Sequence, residues 1–209
     1  MIHAACELLP VSDHVGLGVF ATEFIPRGTI LWTLDPLDQV ITPNEIAGMI
    51  PAQQALVDKY SYIDADGMHV LCWDLGRYMN HSCRPAARGM GEMEVAVRDI
   101  KPGDELTCEY GMLNLAGPFE CACGSPGCRG TVKPDDFLAC WQEWDREFVA
   151  SSQWIPTVAQ PLWRLVTRSE RNQRVLAAIE QGWRGDDLPS IRDGVWPPVR
   201  PVTVTGPSE

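Results

Sequence analysis

Short runs of strand-forming residues, separated by tight-turn signatures, constrain the first 110 residues more than any other feature. A Pro-x-Gly turn at 25–28 precedes the run 29–34, which is rich in β-branched and aromatic residues. An Asp-Gly turn at 66–67 separates the runs 60–64 and 68–73, and a Pro-Gly turn at 102–103 separates 92–98 from 105–110. These two pairs predict hairpins. Because strands do not alternate with helices, the pattern predicts a mainly β domain.

Helical periodicity appears mainly later in the chain. One earlier helix is predicted over 42–59, with Thr42 as N-cap and Pro43 in its first position. After residue 134, Phe137, Trp141, Trp144 and Phe148 fall on one helical face, a pattern typical of core packing. A second C-terminal helix is predicted over 162–181. From residue 187 the chain is rich in Pro, Val, Thr and Gly, which predicts an irregular tail.

Composition excludes several classes of protein. The 209 residues are 45% hydrophobic and 22% charged, as in soluble globular proteins that need no disulfides. No apolar run reaches membrane-span length, and the N-terminus lacks a secretory pattern, so we expect a cytoplasmic or nuclear protein without a membrane partner. The net charge of −11 disfavours direct nucleic-acid binding and suits a basic protein partner. The oligomeric state is not indicated.

Three cysteines within eight residues form the strongest local motif. Cys121, Cys123 and Cys128 are separated by glycines and a proline that can bend the chain around one ion. Structural zinc is tetrahedral, so a fourth ligand is required. The spacing leaves this ligand open among Cys83, Cys108 and Cys140.

A solid polar block lies at 77–85, where Asn80, His81 and Ser82 stand in consecutive positions ahead of a Cys-x-Pro sequence. We interpret it as a bent, buried loop that holds a ligand, and the alternative is a surface turn. Gly16 and Gly18 could let the backbone approach a ligand closely. They lack the third glycine and following helix of a dinucleotide site.

Taken in order, the block 77–85, the segment 105–111 and the cysteine motif running into 129–131 resemble a SET-domain protein lysine methyltransferase with a post-SET zinc-binding segment. The resemblance covers about residues 12–133. It implies a mainly β fold with α, a SET-type β-clip of small curved sheets with a threaded C-terminal segment, plus a C-terminal helical extension. The expected domains are a SET domain at 1–116, a post-SET zinc segment at 117–133, a helical extension at 134–186 and the irregular tail at 187–209.

The resemblance also implies roles for individual residues. Tyr110 would be catalytic, and Tyr60, Tyr62 and Cys108 would line the substrate channel. Cys83 would complete one structural zinc site with Cys121, Cys123 and Cys128. The residues expected to bind S-adenosylmethionine are Gly16, Leu17, Gly18, Tyr78, Asn80 and His81.

The implied function is methyl transfer from S-adenosylmethionine to a lysine amine of a histone or another basic protein. Three positions depart from the family pattern. Leu34-Asp35-Pro36 stands in place of Tyr-x-Gly, Ala86 replaces an asparagine, and Cys108 replaces a Phe or Tyr that limits methylation. The smaller Cys108 predicts addition of more than one methyl. The missing tyrosine, for which Trp32, Tyr60 or Tyr62 can compensate, leaves an alternative: a catalytically inactive, zinc-stapled module that binds basic peptides.

Overall fold

In the part of the chain that the structure describes, short strands form five small sheets and a helical extension follows them. The computed structural model describes residues 1–186 and 188–195 of the chain. The strands are β1 (Cys6–Ser12), β2 (Gly16–Ala21), β3 (Ile30–Thr33), β4 (Gln39–Ile41), β5 (Ser61–Ile63), β6 (His69–Leu71), β7 (Asn80–His81), β8 (Ala87–Met90), β9 (Met93–Ala96), β10 (Thr107–Cys108), β11 (Phe119–Glu120) and β12 (Thr131–Val132). The α-helices are α1 (Pro43–Ala47), α2 (Pro51–Tyr60), α3 (Asp136–Ser152), α4 (Trp163–Val166) and α5 (Glu170–Glu180). Together these elements confirm a mainly β fold with a C-terminal helical part.

Four of the five sheets are antiparallel: β1–β2, β3–β9–β8, β4–β6–β5 and β11–β12. The predicted hairpin around the Asp-Gly turn is confirmed, because β5 and β6 pair with Ser61 opposite Leu71. Strand β1 was not predicted, and its pairing with β2 places Gly16–Gly18 in a ladder.

The fifth sheet is a parallel ladder between β7 and β10, with Thr107 opposite Asn80 and Cys108 opposite His81. The predicted hairpin of 92–98 with 105–110 is therefore wrong. Residues 101–104 do turn, but an Ile25–Ile100 bridge separates the two segments. Strand β9 instead pairs with β3 and β8.

Two of the three predicted helices are interrupted. The helix expected over 42–59 divides into α1 and α2, because Pro51 can begin a helix but cannot continue one. Thr42 does cap α1, accepting a hydrogen bond from the Glu45 N–H at 3.2 Å. The helix expected over 162–181 divides into α4 and α5, since the Ser169 hydroxyl caps a new helix by accepting from Asn172 N.

The helical extension packs on one face of the β3–β9–β8 sheet. Ile30, Met93 and Val95 share a buried cluster with Phe148 of α3. The predicted aromatic face of α3 is confirmed as packing, with Phe137, Trp144 and Phe148 buried and Trp141 packed against them. The other face of the sheet, with Trp32, Ala87 and Ala96, belongs to a second cluster.

The turn at 25–28 also touches the extension. Gly28 has φ +87°, and a Cβ there would lie 2.4 Å from Cβ of Trp154. A larger residue at position 28 would collide with Trp154 and push the helical extension away from this turn. Of the tail expected at 187–209, the structure describes 188–195. There, Ile191–Gly194 form a 3-10 helix whose Ile191 is buried. Residues 187 and 196–209 lie outside the described part. Among the described helices, none combines the length and apolar character needed to cross a bilayer.

Candidate functional site

The β7–β10 ladder places Tyr110 beside the polar block. The backbone N–H of Tyr110 donates to Nδ1 of His81 at 3.2 Å, and the two rings lie 5.6 Å apart. The Tyr110 hydroxyl donates to the Met79 carbonyl at 3.0 Å. Burial raises the pKa of Tyr110 above its ordinary value, so the hydroxyl stays protonated and acts as a donor. The structure thus brings together two segments that lie about 30 positions apart in sequence.

The expected cofactor-binding glycines lie next to Asn80. The Asn80 amide donates to the Leu17 carbonyl at 3.0 Å and to Oε1 of Glu105 at 2.8 Å. A Cβ on Gly18 would lie 2.4 Å from that same Glu105 oxygen, so the missing side chain makes room for this contact. Gly16 and Leu17 are exposed. Leu17 and Asn80 therefore meet in one hydrogen-bonded strip at the surface.

A cavity of about 770 Å³ lies beside Tyr110. All three residues expected to line a substrate channel, Tyr60, Tyr62 and Cys108, do line it, together with Tyr110. The described residues around the cavity do not include the 16–18 strip, Asn80 or His81. Met79 is the link, because it lines the cavity and its carbonyl accepts from Tyr110.

Aromatic rings form much of the cavity wall. Trp32 contacts Tyr62 edge-on at 5.9 Å between ring centroids, and Tyr60 contacts Tyr78 at 5.3 Å. Leu34, which stands where the family pattern has tyrosine, also lines the cavity. Trp32, Tyr60 and Tyr62 together give this part of the cavity an aromatic wall.

The helical extension supplies part of the cavity rim, which the sequence did not indicate. Residues of α5 and of the 3-10 helix at 191–194 line the cavity. The Asn114 amide joins this rim to the domain by donating to the carbonyls of Ile63 and Gly194, each at 2.9 Å, and to that of Asp64 at 3.2 Å. Asn114 adopts φ +52°, a left-handed conformation that asparagine tolerates better than most residues.

A buried carboxylate, Glu94, also lines the cavity. It lies in β9 opposite Trp32 of β3 and Gly89 of β8. Burial raises the pKa of Glu94 to about 7, while the positive charge of Arg88 opposes the shift. The sequence contained a signal that was missed: a carboxylate inside an otherwise apolar strand, Met93–Ala96.

The four cysteines expected to bind metal converge. The Sγ atoms of Cys83, Cys121, Cys123 and Cys128 all lie within 4.8 Å of one another, and those of Cys83 and Cys121 are 3.8 Å apart. Tetrahedral zinc with Zn–S of about 2.3 Å places neighbouring sulfurs roughly 3.8 Å apart. This group therefore fits zinc. The other two candidates lie elsewhere, since Cys108 is at the cavity and Cys140 is in α3.

His81 joins this cysteine cluster to Tyr110. Burial lowers the pKa of His81 to about 4, so the ring is neutral near pH 7. Because Nδ1 accepts the Tyr110 N–H, the ring proton belongs on Nε2, which lies 3.3 Å from Cys83 Sγ. The imidazole is thus oriented from both sides.

Arg129 makes a second connection between the cluster and the fold. Its backbone N–H and Nε donate to Cys83 Sγ at 3.4 and 3.5 Å, and Nη2 donates to Oε1 of Glu109 at 2.5 Å. Glu109 also faces Arg88 at 3.5 Å, and Arg88 pairs with Glu147 of α3 at 2.6 Å. One charged network therefore connects the helical extension, Glu109 and the cysteine cluster. The sequence did not indicate this network.

Comparison with known proteins agrees with this geometry. Residues 16–111 match the family model described as SET domain. Histone-lysine N-methyltransferase, H3 lysine-4 specific, of Schizosaccharomyces pombe is 29% identical over 127 residues, covering 54% of this chain and 14% of that protein. Histone-lysine N-methyltransferase Set2 of Drosophila melanogaster is 34% identical over 144 residues, covering 59% of this chain and 6% of that protein.

A solved structure described as a histone methyltransferase of Plasmodium falciparum is 25% identical, with a TM-score of 0.40, and covers 52% of this chain and 95% of that one. The chain spans between 4% and 32% of the length of the first three curated relatives that it matches. The family match covers both the polar block and Tyr110. Residues 16–111 of this chain are therefore a SET domain.

Proposed function

We propose that the protein transfers a methyl group from S-adenosylmethionine to the side-chain amine of a lysine in a basic protein. The observation that carries this proposal is the position of Tyr110. Its hydroxyl is bonded to Met79, between the strip formed by 16–18 with Asn80 and an aromatic-walled cavity. A donor on one side and an amine on the other would meet at this phenol.

The proposed cofactor-binding residues are Gly16, Leu17, Gly18, Tyr78, Asn80 and His81. They fit such a ligand because the strip offers exposed backbone at Gly16 and Leu17, next to an asparagine held in place by Glu105. When bound, S-adenosylmethionine supplies an electrophilic methyl on a sulfonium. The His81 ring, bonded on both sides, would keep the backbone of this strip fixed.

The proposed substrate channel is the cavity lined by Tyr60, Tyr62, Cys108 and Tyr110. A lysine must become neutral before it can attack, which costs about 4–5 kcal/mol at pH 7 from a reference pKa near 10.4. The apolar walls reduce this cost by disfavouring the charged form. Tyr110 would orient the amine as a hydrogen-bonding group, since its raised pKa rules out a phenolate base near pH 7. Alignment of the reactants can contribute roughly 7–11 kcal/mol.

We further propose that Cys83, Cys121, Cys123 and Cys128 hold one structural zinc ion. The metal would hold the proposed zinc segment, 117–133, against the SET domain, proposed as 1–116. Within that segment Phe119 packs 5.8 Å from Tyr110 and 5.6 Å from His81. The fixed segment would therefore hold the Phe119 ring beside Tyr110 and His81, while 134–186 is proposed as a covering extension.

A basic protein is the proposed substrate, and core histones are the first to test because the similar proteins are named histone-lysine methyltransferases. Zinc-loaded protein should bind S-adenosylmethionine by calorimetry and transfer labelled methyl to core histones or to proteins of a cell extract. Tyr110→Phe should keep cofactor binding and its unfolding temperature but lose turnover at least about 100-fold. Absence of cofactor binding would refute the enzyme, whereas peptide binding without turnover would support the inactive module.

The zinc site has a matched control. Cys83→Ser should abolish the single equivalent of zinc measured by elemental mass spectrometry, because one of four converging ligands is lost. Cys140→Ser should retain it, since this cysteine lies outside the cluster. The opposite result would reassign the fourth ligand.

A further inference from the structure

Among the described residues, one buried carboxylate at the cavity, Glu94, lacks a hydrogen bond that such a group normally accepts. The residue Glu94 is only 8% exposed and lies on the sheet face that carries Trp32. Its Oε2 accepts no hydrogen bond from the described part of the chain. Buried carboxylates normally have such partners, because an unpaired charge in a low-dielectric site is costly.

A structural charge in the same sheet looks different. Arg88 is on the opposite face, with its side chain 3% exposed. Its Nη1 also lacks a hydrogen-bond partner among the described residues, but it lies 3.5 Å from a Glu109 oxygen, and Nε pairs with Glu147 at 2.6 Å. Its guanidinium also lies over the Trp144 ring at 5.4 Å. No comparable partners surround Glu94 among the described residues. The cavity side of the sheet thus lacks the groups that would make this carboxylate a purely structural one.

The charged and titratable groups near Glu94 are few. From β8 the positive charge of Arg88 acts through the sheet, and from the segment after β10 the negative charge of Glu109 acts against it. From β10 the Cys108 side chain faces the same region, and its own pKa is raised by burial and then by Glu94, so it remains a neutral thiol. The cavity wall carries further charged side chains, none of which is among the charges that shift the Glu94 pKa: Asp58, Lys59, Asp64, Arg77, Glu92, Arg171, Arg174 and Asp193.

We propose that Glu94 accepts the proton of the target lysine's ammonium group in the channel. The inference rests on the proposed function and adds a catalytic residue to it. Glu94 and Tyr110 line the same cavity, so an ammonium directed toward the Tyr110 hydroxyl enters a space with a carboxylate in its wall. The environment disfavours charge, so a carboxylate and an ammonium gain by becoming a carboxylic acid and an amine.

The balance of the step is simple. The proton moves from lysine Nζ to a Glu94 oxygen. The freed lone pair then forms the new N–C bond as the C–S bond breaks and leaves its electron pair on sulfur. Glu94 returns its proton to solvent before another turnover. The raised pKa of Glu94, about 7, is compatible with an acceptor that releases a proton near neutral pH.

The test compares wild type and Glu94→Gln across pH, with core histones as acceptor. Wild-type kcat/KM should rise with pH and level off above about pH 7, as Glu94 ionises. In Glu94→Gln only lysine that is already neutral can react. Its rate should therefore rise about tenfold per pH unit toward the lysine pKa near 10.4. The wild-type rate should exceed the variant's by about 100-fold at pH 7.5 and by much less at pH 9.5.

The matched control is Glu92→Gln, a second carboxylate at the cavity that is already bonded to Ser169 at 2.6 Å. It should keep the wild-type pH profile. A Glu94→Gln rate lowered by one constant factor at every pH, or not lowered at all, would overturn the proposal. Lack of turnover by wild type at every pH would instead refute the proposed function, and with it this step.

A second measurement does not depend on turnover. Carbon NMR of protein labelled at the glutamate carboxyl should show one glutamate titrating near neutral pH, with that signal missing in Glu94→Gln. If every glutamate titrates in its ordinary range, Glu94 is not the acceptor.

Discussion

The two faces of the β3–β9–β8 sheet each carry one buried charged side chain, and the two side chains differ in the partners that surround them. On the face toward the extension, Arg88 is surrounded by Glu147, Glu109 and Trp144. On the cavity face, Glu94 has an oxygen without a hydrogen-bond partner among the described residues. Arg88 of β8 and Glu94 of β9 thus have different roles on opposite faces of one sheet, because alternate side chains in a strand point to opposite faces.

Within the four-residue strand β9, some side chains contribute to packing and one faces the cavity. Met93 and Val95 pack with Phe148 and the helices, whereas Glu94 faces the space beside Tyr110. If this division is correct, changing the charge on one face should weaken the fold, and changing the charge on the other should strengthen it. Two substitutions test this, and a third tests the products formed beside the cavity.

The largest expected effect is on the extension face. Arg88→Ala removes a buried cation that pairs with Glu147 and that faces Glu109 together with Arg129. It should lower the free energy of unfolding by about 3–5 kcal/mol. Denaturant unfolding measures it. As a control, Arg98→Ala breaks an exposed pair with Asp104 and should cost less than about 1 kcal/mol. If both variants lose the same free energy of unfolding, the buried pairs of Arg88 contribute no more than an exposed pair.

The cavity face should respond with the opposite sign. The raised pKa of Glu94 means that the folded state holds a proton which the unfolded state releases between about pH 4.5 and 7, so stability falls as pH rises through this range. Glu94→Gln cannot ionise and avoids the loss. It should be more stable than wild type by about 3 kcal/mol at pH 9 and roughly equal at pH 4. Unfolding curves at both pH values measure this, and a variant less stable than wild type at pH 9 would contradict the comparison.

The smallest effect on stability is expected at Cys108, where a change should alter the products instead. Cys108→Tyr places a larger ring at a buried position beside the cavity. Because the cavity can take part of the ring, we expect a stability cost at the low end for overpacking, about 1 kcal/mol. Mass spectrometry of the product should show more than one methyl with wild type and a shift to one methyl with the variant. Strict monomethylation by both proteins would refute this use of Cys108.

Sequence reasoning predicted the parts of the site that are marked by unusual local composition. The polar block and the cysteine motif were visible because such runs of polar residues or thiols are rare in ordinary strands. The convergence of Cys83 with the cysteine motif came from family resemblance, since spacing alone left three cysteines open. The mainly β fold followed from turn residues, whose backbone requirements are local.

The remaining features depend on contacts between distant residues. The helix breaks at Pro51 and Ser169 were overlooked, although each residue can begin a new helix. The false hairpin at 92–110 had a correct turn, but the bridge from Ile25 to Ile100 decided which strands pair. The role of Glu94 required knowing which face of β9 meets a cavity, and a single strand sequence does not show that.

The parallel ladder between β7 and β10 has a consequence for how the chain reaches its native state. Parallel strands cannot be joined by a tight turn, and here the β8–β9 hairpin lies between them in sequence. We expect that hairpin to form early and the ladder to close over it late, since distant pairings bear a larger entropic cost. A nascent chain would therefore have a nearly finished scaffold while Tyr110 is still far from Asn80.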